Sequence, residues 1–226
     1  MKKSSLILGL FTLFMVNAQV AFAADEGAEV SPTEKKTTAE VTVTKSAGIV
    51  DPEDPEEPIG PGIGKGDFTI NGVSNFKFGQ IKMGAVGKAE VDAGKKLGLE
   101  VVDERGTGAG WNVQVAMTNF SSTVEGNSDS IVKGWELAIP KGTVTSKLGD
   151  MTNAPETQAV TLNIANTNQT IFSAGKDKGL GRYTNIFMDE TTTEVNNSVR
   201  LSIPVFAKIG QYKAELTWSL VNGPTK

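Results

Sequence analysis

Residues near the end of the chain alternate strictly between polar and apolar side chains. The polar positions are Lys213, Glu215, Thr217 and Ser219, and the apolar positions are Tyr212, Ala214, Leu216, Trp218 and Leu220. A period of two places every apolar side chain on one face of a β-strand, whereas an amphipathic helix requires a period near 3.6. The pattern therefore predicts a half-buried strand over residues 212–221.

Short runs of the same kind, separated by Gly, Asn and Pro, recur from residue 68 onward. They predict strands at 68–70, 76–79, 97–102, 110–118, 132–139, 160–164, 183–187, 199–205 and 212–221. No stretch of helix length shows the helical period. Many short strands with turn residues between them are typical of an all-β fold. We expect residues 66–226 to form one antiparallel β-sandwich or Greek-key-like domain, with a long loop at 140–157 or at 175–182.

The start of the chain has the three parts of a secretory signal peptide. Lys2 and Lys3 precede an apolar run over residues 6–16, and Ala21-Phe22-Ala23 provides the small residues of a cleavage site. The run is shorter than the roughly 20 apolar residues that span a bilayer. We therefore expect residues 1–23 to be removed and the protein to be secreted. No lipid-attachment cysteine or LPxTG-like sorting motif is visible, so retention at the cell wall or surface would depend on binding.

Residues 24–65 are rich in Glu, Pro and Thr and include the run Asp51-Pro52-Glu53-Asp54-Pro55-Glu56-Glu57-Pro58. Residues 24–60 hold 10 acidic and 3 basic residues, whereas residues 61–226 hold 16 acidic and 17 basic residues. Such a segment cannot bury enough apolar area to offset its ordering entropy, and its like charges extend it further. We predict that residues 24–65 are a disordered acidic spacer.

The composition argues against several classes of function. The chain has no His and no Cys, which excludes Ser-His-Asp and Cys-His catalysis and the usual zinc sites. Glycoside hydrolysis needs two carboxylates across a cleft, and no feature singles out such a pair. Basic residues do not cluster as a nucleic-acid footprint would require. We expect no enzyme activity, no catalytic residue, no metal, no cofactor and no nucleic-acid partner.

Two separated blocks of the chain carry a Trp-x-apolar triplet in a distinctive setting. Residues 103–115 read Asp-Glu-Arg-Gly-Thr-Gly-Ala-Gly-Trp-Asn-Val-Gln-Val, and residues 212–224 place Trp-Ser-Leu in a Tyr-led strand that ends near a Pro. Together and in this order, the blocks resemble the WxL domain family of Gram-positive cell-surface proteins, over residues 66–224. The first triplet has Val113 in place of the family's Leu, which keeps an apolar, β-favouring side chain there.

The resemblance implies a function and a set of partners. It implies non-covalent attachment to peptidoglycan through the WxL-like domain. It also implies complexes with a WxL-interacting membrane-anchored protein and other surface proteins, proposed to engage host or plant polymers. The motif residues that it marks, for binding or for structure, are Asp103, Arg105, Trp111, Val113, Tyr212, Trp218 and Leu220.

The two motif tryptophans have two open interpretations. Residues two positions apart on a strand point to the same side, so Trp111 shares a face with Val113, and Trp218 shares one with Leu220. Continuous apolar faces normally pack inward, which favours a role as core anchors. The alternative is that an indole lies at a sheet end and stacks on a sugar ring.

Arg105 also has two interpretations. Its planar fork of donors suits the carboxylate of a muropeptide stem. Alternatively, it pairs with Asp103 or Glu104 and clamps the connection between two strands, as ion pairs beside turns often do.

A second function competes with attachment to the wall. A structural or adhesive, fimbria-like subunit would assemble by adding an edge strand to a neighbour's sheet, or would bind host ligands. The alternating strand at residues 212–221 suits such an assembly.

Overall fold

The computed structural model describes residues 67–122, 134–146, 151–163, 165 and 168–224. The predicted signal peptide and acidic spacer lie outside the described residues. The described strands are β1 Phe68–Val73, β2 Val86–Lys88, β3 Lys96–Asp103, β4 Trp111–Met117, β5 Ser121–Ser122, β6 Glu136–Ile139, β7 Thr143–Ser146, β8 Glu156–Thr157, β9 Val160–Leu162, β10 Gln169–Ala174, β11 Gly181–Asp189, β12 Arg200–Ser202, β13 Tyr212–Lys213 and β14 Leu216–Asn222. A single 3-10 turn, Val195–Asn197, accompanies them in the described part of the chain.

These strands form four antiparallel sheets, so the prediction of an all-β antiparallel fold is confirmed. Three sheets have four strands, in the orders β1-β3-β11-β7, β14-β4-β10-β8 and β2-β12-β6-β9. The fourth pairs β13 with β5. We call β14-β4-β10-β8 the motif sheet, because both Trp-x-apolar triplets lie in it. No helix in the described residues is long and apolar enough to cross a membrane.

One hydrophobic core is shared by the three larger sheets. Leu99 of β3, Trp111 of β4, Phe172 of β10, Leu137 of β6 and Leu201 of β12 all belong to one cluster of buried side chains. Complete burial of a side chain of this size contributes about 1.5–3 kcal/mol relative to exposure. The shared core therefore fixes β4, and with it the first motif block, relative to the rest of the domain.

Four predicted strands differ clearly from the structure, of which the one predicted over 132–139 is a strand only at Glu136–Ile139 among its described residues. Residues 76–79 form no strand: Gly79 has a φ of 56°, which departs from extended backbone, and Phe76 packs edge-on against Phe187 at 6.4 Å. The run predicted over 199–205 forms a strand only at 200–202, since Pro204 follows and lacks the N–H that a sheet ladder needs. The terminal run is interrupted at residues 214–215, which separates β13 from β14.

Sequence patterns missed other strands, of which β10 is the longest. In β10 the adjacent residues Ile171 and Phe172 are both fully buried, so the strand shows no alternation. Its register to β4 shifts between Thr170 and Phe172, as a β-bulge requires. Strands β7 and β8 lie inside the segment 140–157 that was expected to be a loop.

Candidate functional site

The two motif blocks lie side by side in the motif sheet. Strand β14 pairs with β4 in antiparallel register over its seven residues, from Leu216 opposite Met117 to Asn222 opposite Trp111. This register sets Leu220 of the second triplet opposite Val113 of the first. The family signature is therefore one continuous two-stranded structure, although its halves are far apart in sequence.

Trp111 is a core residue. Its side chain is fully buried, its indole Nε1–H donates a hydrogen bond to the carbonyl of Gly179 at 3.0 Å, and its ring meets Phe172 edge-on at 5.0 Å. A Cβ atom on Gly179 would lie 2.7 Å from the indole nitrogen, so only glycine fits beneath the ring. Val113 is fully buried as well. In this structure neither residue of the first triplet is accessible to a polymer.

Trp218 and Leu220 lie at the edge of the same core. Both side chains are half-buried and pack against the buried cluster. The indole of Trp218 lies nearly parallel to the ring of Phe187, with an interplanar angle of 15° and 6.2 Å between centroids. The second triplet thus combines a packing role with partial access to solvent.

Tyr212 is separate from the second triplet. It lies on β13, which pairs with β5, and its ring contacts Trp135 at 5.1 Å. Its hydroxyl donates to the carbonyl of Lys208 at 2.9 Å. Trp135 in turn stacks on Phe120 at 4.7 Å. Tyr212 therefore holds the loop before β13 against an aromatic group instead of joining the motif strands.

Arg105 and Asp103 form a two-pronged ion pair. Arg105 Nε donates to Asp103 Oδ1 and Arg105 Nη2 to Asp103 Oδ2, each at 2.8 Å. The backbone N–H of Arg105 also donates to Asp103 Oδ1, at 3.2 Å. The Asp103 side chain is fully buried, and its hydrogen bonds raise the pKa of Arg105 above the ordinary value against the opposing effect of desolvation. Such bidentate, charge-assisted pairs are among the stronger hydrogen bonds in proteins.

The Arg105 guanidinium also connects the beginning and the end of the domain. Its Nη1 donates to Asn222 Oδ1 at the end of β14, and its Nη2 lies 3.5 Å from the carbonyl of Gly110, just before β4. Its Cζ lies 3.5 Å from the ring centroid of Phe68, the first residue of β1, in a cation–π contact. We call Phe68, Asp103, Arg105, Gly110 and Asn222 the arginine junction.

Within the arginine junction, Nε, Nη1 and Nη2 of Arg105 all have hydrogen-bond partners in the domain itself. Asp103 would be a buried carboxylate without a counter-charge if Arg105 were removed, which is costly. These contacts match the interpretation of Arg105 as a clamp on the connection between two strands.

The exposed face of the two motif strands carries uncharged polar groups. Thr217 is exposed, Ser219 is half-buried beside Gln114, and Gln114 donates to Asn112 Oδ1 at 2.9 Å. Val221 is 39 % exposed on the same side of β14. We call Gln114, Thr217, Ser219 and Val221 the polar face. The sequence analysis did not predict these residues as part of a site. The two-residue alternation of the motif strands could have indicated them, because they occupy the positions between the apolar ones.

Two concave sites in the described residues lie away from the motif residues. Two depressions, of about 310 and 260 Å³, are lined by residues such as Ile139 and Arg200 in the first and Lys88 and Glu90 in the second. Neither is lined by a motif residue.

A family model for the WxL domain, described as a surface cell wall-binding domain, matches residues 29–224. The chain belongs to the WxL domain family. The match starts upstream of residue 66, so it also covers much of the acidic segment. It confirms the resemblance seen in the two blocks, and it supports a location at the cell wall or surface. No curated protein and no solved structure matches the chain.

Proposed function

We propose that this protein is secreted and held on the Gram-positive cell wall by non-covalent binding of peptidoglycan to the polar face. The observation that carries the proposal is the register of β14 on β4, which joins the two family blocks and leaves Thr217, Ser219 and Gln114 on one uncharged surface. Cell wall binding is a property of the family. Beyond that property, we propose that the polymer is peptidoglycan, that the polar face binds it and that the protein is exported by secretion.

The chemistry of the polar face fits a neutral glycan strand. Hydroxyl and amide groups both donate and accept hydrogen bonds, as sugar hydroxyls and N-acetyl groups do. The exposed part of Val221 offers an apolar surface to the C–H face of a sugar ring. Each hydrogen bond contributes only about 0.5–1.5 kcal/mol net, so useful retention would come from several contacts along one polymer. Binding that lacks ion pairs should depend weakly on salt.

Cosedimentation of the protein with purified sacculi tests the polar face. The variant Thr217→Ala/Ser219→Ala removes two hydroxyls from the polar face, and we expect binding to weaken about tenfold if each hydroxyl contributes about 0.7 kcal/mol. The matched control is Thr143→Ala/Thr145→Ala on β7, an edge strand of another sheet with the same alternate spacing. Equal binding by both variants and the wild type would remove the polar face from the proposal.

The proposal is non-enzymatic and includes partners. The family description names binding, not catalysis, and we expect purified protein to release no reducing sugar from peptidoglycan. Release above a heat-denatured control would contradict this.

We also propose association with a WxL-interacting membrane-anchored protein, other surface proteins and host or plant polymers. Co-purification of a tagged chain from its own cell envelope, compared with the Thr217→Ala/Ser219→Ala variant, separates wall attachment from these contacts.

Strand addition to β14 is the second candidate function, and the geometry of β14 favours it. Among the described residues β14 pairs only with β4. The carbonyl of Glu215 accepts from Thr118 N at 2.9 Å, and Gly223 N donates to the carbonyl of Gly110 at 3.1 Å. Bonded residues alternate with outward-facing ones in an antiparallel pair. The backbone groups that face away from β4 are therefore those of Leu216, Trp218, Leu220 and Asn222.

The β14 edge lacks the usual protection against pairing. It has no charged residue and no Pro, and its register shows no shift. In contrast, the edge strand β1 has a register shift between Ile70 and Gly72, and the edge strands β2 and β9 have three residues each. Natural proteins protect edge strands from pairing by charged residues, β-bulges or a short strand length.

If the protein is a fibre subunit, we expect oligomers that persist on unheated gels and that are absent from the variant Thr217→Lys/Ser219→Lys. A protein that is monomeric at all concentrations would exclude self-assembly.

A further inference from the structure

Five large apolar side chains collect at a place that neither proposed function uses. Val205, Phe206 and Ile209 are 75 %, 67 % and 91 % exposed, and Met83 and Val86 are 55 % and 50 % exposed. None of the five belongs to the core cluster or to the residues packed against it. We call these five residues the apolar patch. Grouped exposed apolar residues mark an interaction surface, whereas single ones need no explanation.

Local contacts bring the two segments of the patch together. Ile203 N donates to the carbonyl of Ala85 at 3.0 Å, and a Cβ atom on Gly84 would lie 2.6 Å from Val205 Cγ1. The turn at residues 82–86 therefore lies against residues 203–205, and the chain continues from there to Phe206 and Ile209. The absence of a side chain at Gly84, whose φ is 72°, allows Val205 to lie directly over the turn.

The loop is anchored so that its apolar residues project outward. Ala207 is buried, and its N–H donates to the carbonyl of Pro204 at 3.1 Å, which closes a turn around Val205 and Phe206. At the other end, the Tyr212 hydroxyl holds the carbonyl of Lys208. The turn thus has fixed ends, and the exposure of its tip comes from the fold itself.

Charge around the patch is positive. Residues 81–89 and 203–213 contain four lysines and no acidic residue. Lys82 and Lys208 are exposed beside Met83 and between Phe206 and Ile209. Two carboxylates lie next to these segments, because Glu136 of β6 is opposite Ser202 in register and the exposed Glu90 follows residue 89 directly. Four lysines against two carboxylates leave the positive charge in excess. The patch is therefore complementary to an anionic surface.

We infer that the apolar patch inserts into the outer leaflet of a membrane that contains anionic lipids. Aliphatic and aromatic side chains interleaved with lysines are typical of segments that enter the interface, because the apolar parts reach acyl chains while the ammonium groups stay among the phosphates. A sugar polymer offers only the C–H faces of its rings, which form no hydrocarbon layer for side chains as exposed as Val205 and Ile209. Protein interfaces are depleted in lysine, which makes a protein partner the poorer fit.

Vesicle cosedimentation of the mature chain tests the inference. We expect wild-type protein to bind phosphatidylglycerol vesicles and to bind phosphatidylcholine vesicles at least tenfold more weakly. The variant Phe206→Ser/Ile209→Ser should lose at least tenfold in binding to phosphatidylglycerol. The matched control is Met151→Ser/Leu180→Ser, which removes two exposed apolar residues from other loops and should bind as the wild type does. The charge variant Lys82→Glu/Lys208→Glu should also lose binding.

Other occupants give different results, each of which would overturn the inference. If the wild type does not bind phosphatidylglycerol vesicles, the inference is wrong, whether the patch is unused or is covered by the chain's own acidic segment. If Phe206→Ser/Ile209→Ser and Met151→Ser/Leu180→Ser lose binding equally, the inference is also wrong. A wild-type dimer that Phe206→Ser/Ile209→Ser converts to a monomer, without vesicle binding, assigns the patch to a second copy. Sacculus binding by Phe206→Ser/Ile209→Ser should match the wild type, so the wall proposal is judged separately.

Discussion

The two Trp-x-apolar triplets carry nearly the same letters but occupy different environments. Trp111 and Val113 lie on β4, which has a strand on each side, and both are fully buried. Trp218 and Leu220 lie on β14, at the edge of the same sheet, and both are half-buried. Position in the sheet, and not the triplet itself, decides how much of each indole meets solvent. The first triplet is a structural element, and the second joins that element to the surface.

The largest effect in this comparison should come from Trp111→Ala. The substitution leaves a cavity in the core and an unpaired carbonyl at Gly179, so we expect the free energy of unfolding to fall by about 3–5 kcal/mol. Urea denaturation followed by circular dichroism measures it. A loss below about 1 kcal/mol would mean that Trp111 does not anchor β4 in the core.

Arg105→Ala should rank second. It leaves the buried Asp103 carboxylate without its partner, which costs about 3 kcal/mol when such a pair is broken on one side. Arg105→Lys keeps the charge but loses the fork and should fall between the wild type and Arg105→Ala. If Arg105 serves a ligand instead, unfolding would be unchanged while sacculus binding falls. The same two assays on each variant distinguish these outcomes.

Trp218→Ala should cost less than Trp111→Ala. The indole is half-buried and makes one stacking contact, with Phe187, so we expect a loss of about 1.5–2.5 kcal/mol from partial apolar burial. Near-UV circular dichroism should show a folded variant. Equal losses for Trp111→Ala and Trp218→Ala would erase the distinction between the two triplets.

The smallest effects should come from exchanging the third residues of the triplets. Val113→Leu overpacks a fully buried site and should cost about 1–2 kcal/mol, whereas Leu220→Val at the edge should cost about 0.5–1 kcal/mol. The two residues are directly opposite in register. The double variant should therefore cost less than the sum, because volume is conserved across the pair. Strict additivity in urea denaturation would show that they do not pack together.

Sequence patterns predicted strands of two kinds: β4 and β14, which alternate, and β3, whose apolar run is buried on both faces. The alternation in residues 111–117 and 216–222 identified β4 and β14 because one side of each faces the core. Strand β10 was missed because a bulge lets Ile171 and Phe172 both point into buried surroundings. Among these residues, periodicity reports burial and not strand formation as such.

The candidate site was accessible to sequence reasoning only where contacts are local. Asp103 and Arg105 are two residues apart, so their pairing was among the interpretations that the sequence allowed. Asn222 meets Arg105 across 117 positions, and Phe68 meets it from the other end of the domain. These contacts depend on strand order, which no single segment reveals. The complete burial of Val113 could not be predicted for the same reason, because it depends on the strands on either side of β4.

We propose that the polar face, along β14, meets the wall polymer while Trp111 and Val113 stay in the core. An amide and indole NMR titration of residues 24–226 with soluble peptidoglycan fragments tests this directly. We expect shifts at the amides of Thr217, Ser219 and Val221 and none at the Trp111 indole N–H, which is bonded to the carbonyl of Gly179. A shift of the Trp111 indole with β14 amides unchanged would contradict it.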